Sequence, residues 1–134
     1  MVAIAYFCPC CWSEIGNTPV CPFCRADLRQ FEGESCEKKL IRALHHPEPT
    51  VPFRVATMLG MLGSQAAVEP LIEVAVSSAD PYIQEAAAEA LGQIGDHRAS
   101  PCLNRLRKEG TVRVRLAADK ALVALELSQN ANQR

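Results

Sequence analysis

An internal repeat constrains the fold of this chain more than any other feature of its sequence. Residues 80–95 read DPYIQEAAAEALGQIG, in which an acidic residue and Pro are followed by Leu-Gly-x-x-Gly. The same features occur 32 residues earlier, at Glu48-Pro49 and at Leu59-Gly60-Met61-Leu62-Gly63, and a weaker copy begins about 31 residues later. Self-similarity with a period of about 20–50 residues is typical of proteins that stack one structural unit on the next. The sequence therefore predicts a repeat architecture centred on residues 80–95.

Each repeat predicts a pair of helices, because apolar residues recur in it at three- and four-residue spacing. Asp80 and Pro81 are suited to the start of a helix, and Gly95 is suited to the position that follows one. Hydrophobic residues make up 49% of the chain and aromatic residues only 5%, which suits closely packed helices. The predicted helices cover about residues 35–44, 51–62, 66–77, 80–94, 98–108 and 112–127.

The Leu-Gly-x-x-Gly endings, the Asp-Pro starts and the alternating helix pairs resemble HEAT repeats, of the short bacterial type also seen in phycobilisome lyases. The resemblance covers about residues 36–127 and implies an all-α fold, a short α-solenoid of about six helices in three pairs. The first copy has Pro52 where the family usually has Arg, and the last has Val123 in place of Gly. Gly60 and Gly92 each cost a helix about 1 kcal/mol, and close approach of a neighbouring helix would account for both.

Five of the seven cysteines lie between residues 8 and 24. Cys8-x2-Cys11 and Cys21-x2-Cys24 each have Pro after the first Cys, and two such turns can direct four sulfurs at one tetrahedral ion. An odd number of cysteines without an export signal favours metal ligation over disulfide bonds.

Residues 1–33 resemble a zinc ribbon, which implies a structural Zn²⁺ site. The ligands predicted are Cys8, Cys11, Cys21 and Cys24, with Cys10 as a spare fifth thiol. Trp12 and Arg25 stand where Gly often follows the second Cys of each pair. A rubredoxin-type iron site and a thiol redox pair are the alternatives; the structural site is preferred because the segment is too small for a core of its own. We expect it to cover the N-terminal end of the stack.

Catalytic motifs are not found in the sequence: it has no phosphate-binding loop, His-Glu-x-x-His, nucleophile elbow or dinucleotide fingerprint. We therefore expect the protein not to be an enzyme. Cys36 and Cys102 fall on predicted buried faces, where cysteine acts as a small apolar residue. His45 and His46 lie at a helix end, and His97 is expected to be exposed.

Two features near the C-terminus are relevant to a partner. The basic residues Arg105, Arg107, Lys108, Arg113 and Arg115 flank the turn between the last two helices. We interpret them first as a solvated turn with cations near the C-terminus of the fifth helix, and an edge that binds an acidic protein is the alternative. The last helix is apolar on more than one face, through Ala117, Ala118, Ala121, Leu122, Val123, Ala124, Leu125 and Leu127. Terminal repeats normally have a polar outer surface, so this helix favours association with a second copy or another protein.

The function we predict is that of a cytoplasmic, non-catalytic adaptor or scaffold that binds another protein. A nucleic-acid module using the zinc ribbon and the 105–115 edge is an alternative disfavoured by the net charge of −1. A bilin lyase-like activity is a further alternative, suggested by the HEAT-like resemblance alone. No apolar run is long enough to cross a membrane. The expected divisions are residues 1–33, a metal-binding segment; 34–128, the helical repeats; and 129–134, a flexible tail.

Overall fold

The computed structural model describes residues 6–16 and 18–132. Two short strands, β1 (Tyr6–Phe7) and β2 (Glu14–Ile15), precede a 3-10 turn, Leu28–Phe31, and six α-helices within these ranges. The helices are α1 (Cys36–Ala43), α2 (Thr50–Leu62), α3 (Val68–Ser77), α4 (Pro81–Ile94), α5 (Ser100–Glu109) and α6 (Val112–Asn132). Further 3-10 turns, Gln65–Ala67 and His97–Ala99, lead into α3 and α5. The predicted all-α solenoid of three helix pairs is confirmed.

The second helices of the three pairs form one layer, in which α4 packs between α2 and α6. The first helices lie against this layer, α1 on α2, α3 on α4 and α5 on α6. A single hydrophobic core runs through the stack from Leu44 to Leu125 and consists mainly of Ala, Leu and Val. The leucines Leu59, Leu71, Leu91, Leu103 and Leu125 are its largest fully buried side chains.

Two glycines allow the helices of this layer to approach one another closely. A Cβ atom on Gly60 would lie 2.8 Å from Ala90 Cα, and one on Gly92 would lie 2.8 Å from both Cα and Cβ of Ala121. Either side chain would overlap with atoms of the neighbouring helix. The expected reason for keeping glycine inside two helices is confirmed.

The predicted helix ends are also present. The Asp80 side chain accepts a hydrogen bond from the Tyr82 amide and caps α4, whose first residue is Pro81. Gly63 and Gly95 follow α2 and α4 in the left-handed conformation, with φ of 65° and 77°. Asp80 and Pro81 therefore begin α4, and Gly63 and Gly95 end α2 and α4.

Two predictions of local structure were wrong. Cys36 is exposed, because it lies in the first turn of α1, where every residue from Cys36 to Lys39 is exposed and the helix has no fully buried residue. The last helix continues to Asn132 instead of ending near Leu127. Ser128 extends the contact surface, since it is half-buried beside Gly95 and its Oγ donates to Ala124 O at 3.0 Å. Cys102, by contrast, is buried as predicted.

We expect Gly92→Ala to destabilise the protein. On an exposed helix this substitution would stabilise by about 1 kcal/mol, whereas here the new methyl group meets backbone of Ala121 and overpacking costs about 1–3 kcal/mol. Chemical denaturation should show a lower free energy of unfolding. Glu89→Ala, one turn earlier on an exposed position of α4, is the control and should change stability little. A stabilised Gly92→Ala variant would contradict the close packing.

Candidate metal centre

The two Cys-x2-Cys turns have the same backbone hydrogen bonds. In the first, the Cys8 amide donates to Ser13 O at 3.0 Å and the Trp12 amide donates to Cys8 O at 2.8 Å. In the second, the Cys21 amide donates to Ala26 O and the Arg25 amide to Cys21 O, both at 3.0 Å. Each turn is thus the same short loop built twice along the chain.

Each turn also brings together the chain on either side of it. The first lies between β1 and β2, which pair antiparallel with Tyr6 opposite Ile15. The second lies inside an antiparallel bridge between Val20 and Asp27. Each cysteine turn therefore lies at the tip of two antiparallel segments, as it does in a zinc ribbon.

The residue after the second cysteine of each turn has a left-handed backbone, with φ of 59° at Trp12 and 62° at Arg25. Side chains other than Gly are uncommon in this conformation. The glycine that often occupies this position in zinc ribbons is explained by the same geometry. Both turns have the left-handed backbone here although neither has the glycine. The rest of each turn therefore determines the backbone conformation at this position.

The four predicted cysteines converge. Their Sγ atoms all lie within 4.8 Å of one another, with Cys8 and Cys24 3.6 Å apart and Cys11 and Cys21 3.7 Å apart. Zn–S bonds of about 2.3 Å in a tetrahedron place sulfurs about 3.8 Å apart. Cys8 and Cys21 are fully buried, whereas Cys11 and Cys24 are exposed. The donor set and its spacing fit one tetrahedral, four-thiolate metal ion.

Polar groups lie close to three of the four cluster sulfurs, whereas desolvation and hydrogen bonds with the other cluster thiols raise the pKa of the Cys24 thiol to about 12. The Cys10 amide donates to Cys8 Sγ and the Phe23 amide donates to Cys21 Sγ, both at 3.4 Å. Hydrogen bonding with the side chain of Ser13, whose Oγ lies 3.4 Å from Cys11 Sγ, and with its backbone lowers the pKa of the Cys11 thiol to about 6. The role of Ser13 was not predicted, because a serine two residues after a cysteine carries no distinctive signal.

The thiol of Cys10 lies outside the converging group of four. Its side chain is exposed, and its backbone amide is the donor to Cys8 Sγ. The turn thus uses the backbone of Cys10 and leaves its sulfur at the surface.

The metal segment is joined to the stack at α1. The Trp12 and His46 rings meet edge to face with centroids 5.0 Å apart. The Arg42 guanidinium lies 4.2 Å from the centre of the Phe31 ring and forms an ion pair of 2.5 Å with Glu34. Hydrogen bonding from Arg42 lowers the pKa of the Glu34 carboxyl. The core of the segment, formed by Cys8, Ile15 and Cys21 with Leu28, is separate from the main core.

The predicted basic edge is partly neutralised by acidic neighbours. Arg105 pairs with Glu109 at 2.9 Å, and Arg107 lies 3.8 Å from Asp119. Arg113 pairs with Glu85 at 3.0 Å, and Glu85 is half-buried. Lys108 and Arg115 are exposed and form no ion pair with other described residues.

None of the three histidines belongs to the group of side chains that converge at the candidate metal centre. His45 and His97 are exposed, as the sequence predicted for His97. His46 Nδ1 accepts a hydrogen bond from the Glu48 amide at 3.0 Å, just beyond the end of α1. None of the helices in the described ranges is both long and apolar enough to span a membrane.

An α-solenoid of three helix pairs with an N-terminal four-cysteine turn pair is the class of protein that the fold and site define. The chain belongs to the HEAT repeat family, which it matches over residues 37–123. This match begins after the cysteine segment.

Two curated proteins are similar to parts of the chain. The phycocyanobilin lyase subunit alpha of a Picosynechococcus species is 44% identical over 66 residues, 48% of this chain. The deoxyhypusine hydroxylase of Schizosaccharomyces pombe is 30% identical over 101 residues, 75% of this chain. The alignments cover 24% and 31% of those proteins, so the chain spans about a quarter to a third of their length.

We expect the purified protein to bind one metal ion per chain through the four converging cysteines. Cys8→Ser should lose the ion, because a buried thiolate ligand is replaced by a hydroxyl, and Cys10→Ser should keep it. Elemental analysis of both variants at equal protein concentration measures this difference. Loss of the ion in Cys10→Ser with retention in Cys8→Ser would show that the ligand set is wrong.

We also expect the metal segment to stabilise the first helix pair. Chelation should lower the melting temperature of the helical part, and Arg42→Ala should lower it while the metal remains bound, because it removes the contacts to Glu34 and Phe31. Circular dichroism with parallel metal analysis separates the two effects. Helices that melt at the same temperature with and without the metal would rule out a capping role.

Proposed function

We propose that this chain is a cytoplasmic, non-catalytic adaptor that binds another protein through the layer formed by α2, α4 and α6. We further propose that its N-terminal segment is held by a structural zinc ion. The membership of the HEAT repeat family supports the first part, and the closed set of four thiolates, which leaves no open position at a tetrahedral ion, supports the second. Iron in the same four-thiolate site is the alternative to zinc.

The observation that carries the proposal is a pair of exposed aromatic side chains on this layer. Phe53 is 43% exposed and Tyr82 is 56% exposed, at the starts of α2 and α4. Together with Pro49, Thr50 and Asp80 they line an open cleft of about 260 Å³. Aromatic residues often supply most of the binding energy at protein interfaces. In a chain with so few aromatics, two exposed rings beside one cleft favour a docking site for an apolar side chain of a partner.

The neighbouring cleft extends this surface toward α6. Glu85 and Glu89 of α4 line it together with Leu116 and Lys120 of α6, in a volume of about 430 Å³. Arg113 stacks over the Tyr82 ring at 5.1 Å and links the two clefts. An apolar cleft with a charged neighbour resembles the pattern of an apolar centre and a polar rim found at protein interfaces.

The relatives support a shared repeat more than a shared reaction. One is named as a lyase subunit and the other as a hydroxylase, and each is matched over less than a third of its length. A bilin lyase-like activity is the second candidate, favoured by the 44% identity over 66 residues. Mixing the purified protein with phycocyanobilin tests it, and an unchanged visible spectrum would dismiss it. Nucleic-acid binding is disfavoured, since three of the five basic-edge residues have acidic neighbours within 4 Å.

We expect the double variant Phe53→Ala/Tyr82→Ala to lose partner binding. Each truncation at an interface centre costs about 1–2 kcal/mol or more, or roughly tenfold in affinity per residue. Affinity capture from the native cell identifies candidate partners, and titration with the purified candidate measures the affinity.

Met61→Ala is the matched control, because Met61 is a large apolar residue of α2 that is 77% exposed outside this cleft. It should bind like the unaltered protein. If the control and the double variant bind the partner equally well, the partner site lies outside this cleft. Failure to recover any protein that binds the purified chain would contradict the adaptor function.

A further inference from the structure

The outer side of α6 has a continuous apolar stripe. Val112, Leu116, Val123 and Leu127 are 64%, 57%, 56% and 65% exposed. At 100° per residue these four positions share one side of the helix. The opposite side is buried in the stack, through Val114, Ala117, Ala118, Ala121 and Leu125. We name the four exposed residues the α6 stripe.

Helix α6 lacks the glycine through which the earlier helices of this layer approach the next one. Within the stack, Gly60 of α2 meets Ala90 of α4, and Gly92 of α4 meets Ala121 of α6. The residue of α6 that corresponds to these glycines in the repeat is Val123, whose side chain is 56% exposed. A helix packed on the stripe would therefore meet a side chain at this position and lie at an ordinary helix–helix distance from α6.

The charges beside the stripe indicate which occupant fits. Asp119 lies on the side of α6 that faces α5, 3.8 Å from Arg107, and remains 54% exposed. Lys120 lies on the side that faces α4, where it lines clefts with Glu89. At the middle of the stripe, the charged group on the α5 flank is therefore Asp119 and that on the α4 flank is Lys120. Arg115 and Glu126 lie on the α5 flank one to two turns from Asp119, and Arg113 lies on the α4 flank, where it pairs with Glu85.

We propose that two copies of this chain pair through their α6 stripes, side by side and parallel, about a two-fold axis. Rotation about an axis along the helices places the α5 flank of one copy opposite the α4 flank of the other. Asp119 then faces the partner's Lys120, and Lys120 faces the partner's Asp119. An antiparallel pair would instead place Asp119 opposite the partner's Asp119 and Lys120 opposite the partner's Lys120. The two-fold contact closes on itself. It uses Leu116 and Lys120 of the neighbouring cleft, whereas the cleft of Phe53 and Tyr82 shares no residue with the stripe.

Leu116→Glu tests the stripe. The substitution places a charge in the contact of both copies, and the dissociation constant should rise by about 100-fold or more, because two buried leucines are lost per dimer. Sedimentation equilibrium of the purified full chain over a concentration series measures it. Met61→Glu is the control, since it makes the same change at an exposed apolar residue of α2, and it should leave the dimer intact. Circular dichroism checks that both variants keep the fold.

Charge reversal tests the orientation. In the parallel pair Asp119→Lys alone and Lys120→Asp alone each create two repulsive contacts, and each should weaken the dimer by about 3–10-fold. The double variant Asp119→Lys/Lys120→Asp restores both attractive pairs and should recover the original affinity. Single reversals that leave the dimer unchanged would overturn the parallel arrangement. A monomer at every concentration, a larger assembly, or a dimer insensitive to Leu116→Glu would overturn the interface itself.

Discussion

The close contact between a glycine of one helix and an alanine of the next determines the spacing of the whole stack. Gly60 against Ala90 and Gly92 against Ala121 set α2, α4 and α6 at a distance at which backbone meets backbone. Small alanines fill the resulting narrow space, and leucines such as Leu91 fill the wider space toward the first helices. Because interiors are close-packed and their defects are costly, these two contacts explain why the core is so poor in aromatic residues.

The ends of the stack depart from this pattern, each in a different way. At the N-terminal end, a segment with almost no apolar core of its own meets α1 through Trp12 and Arg42. A metal ion held by the four thiolates would supply the energy that packing does not, as expected for a segment too small to fold by burial alone. At the C-terminal end, Val123 stands in place of the repeated glycine and leaves an exposed apolar side chain on α6. The middle of the chain thus determines the architecture, whereas its two ends depart from the repeat.

The sequence predicted those features whose residues have a strong local reason for their position. The start of α4 is set by the side chain of Asp80, and the ends of α2 and α4 are set by the left-handed backbone of Gly63 and Gly95. The four cysteines converge because each Cys-x2-Cys turn is short. Features that depend on distant neighbours were missed. Cys36 is exposed because α1 has no fully buried residue, and the added turns of α6 include Ser128, which lies beside Gly95. The docking cleft was also missed, although aromatic residues at the starts of two equivalent helices were a signal that could have found it.

Native mass spectrometry of the purified protein reports on both ends of the stack at once. The expected species contains two chains and two zinc ions, and it dissociates to monomers that each keep one ion, because the metal segment and α6 lie at opposite ends of the solenoid. A monomer at every concentration would contradict closure of the stack by a second copy. Folded chains that carry no metal would contradict a metal-built N-terminal end.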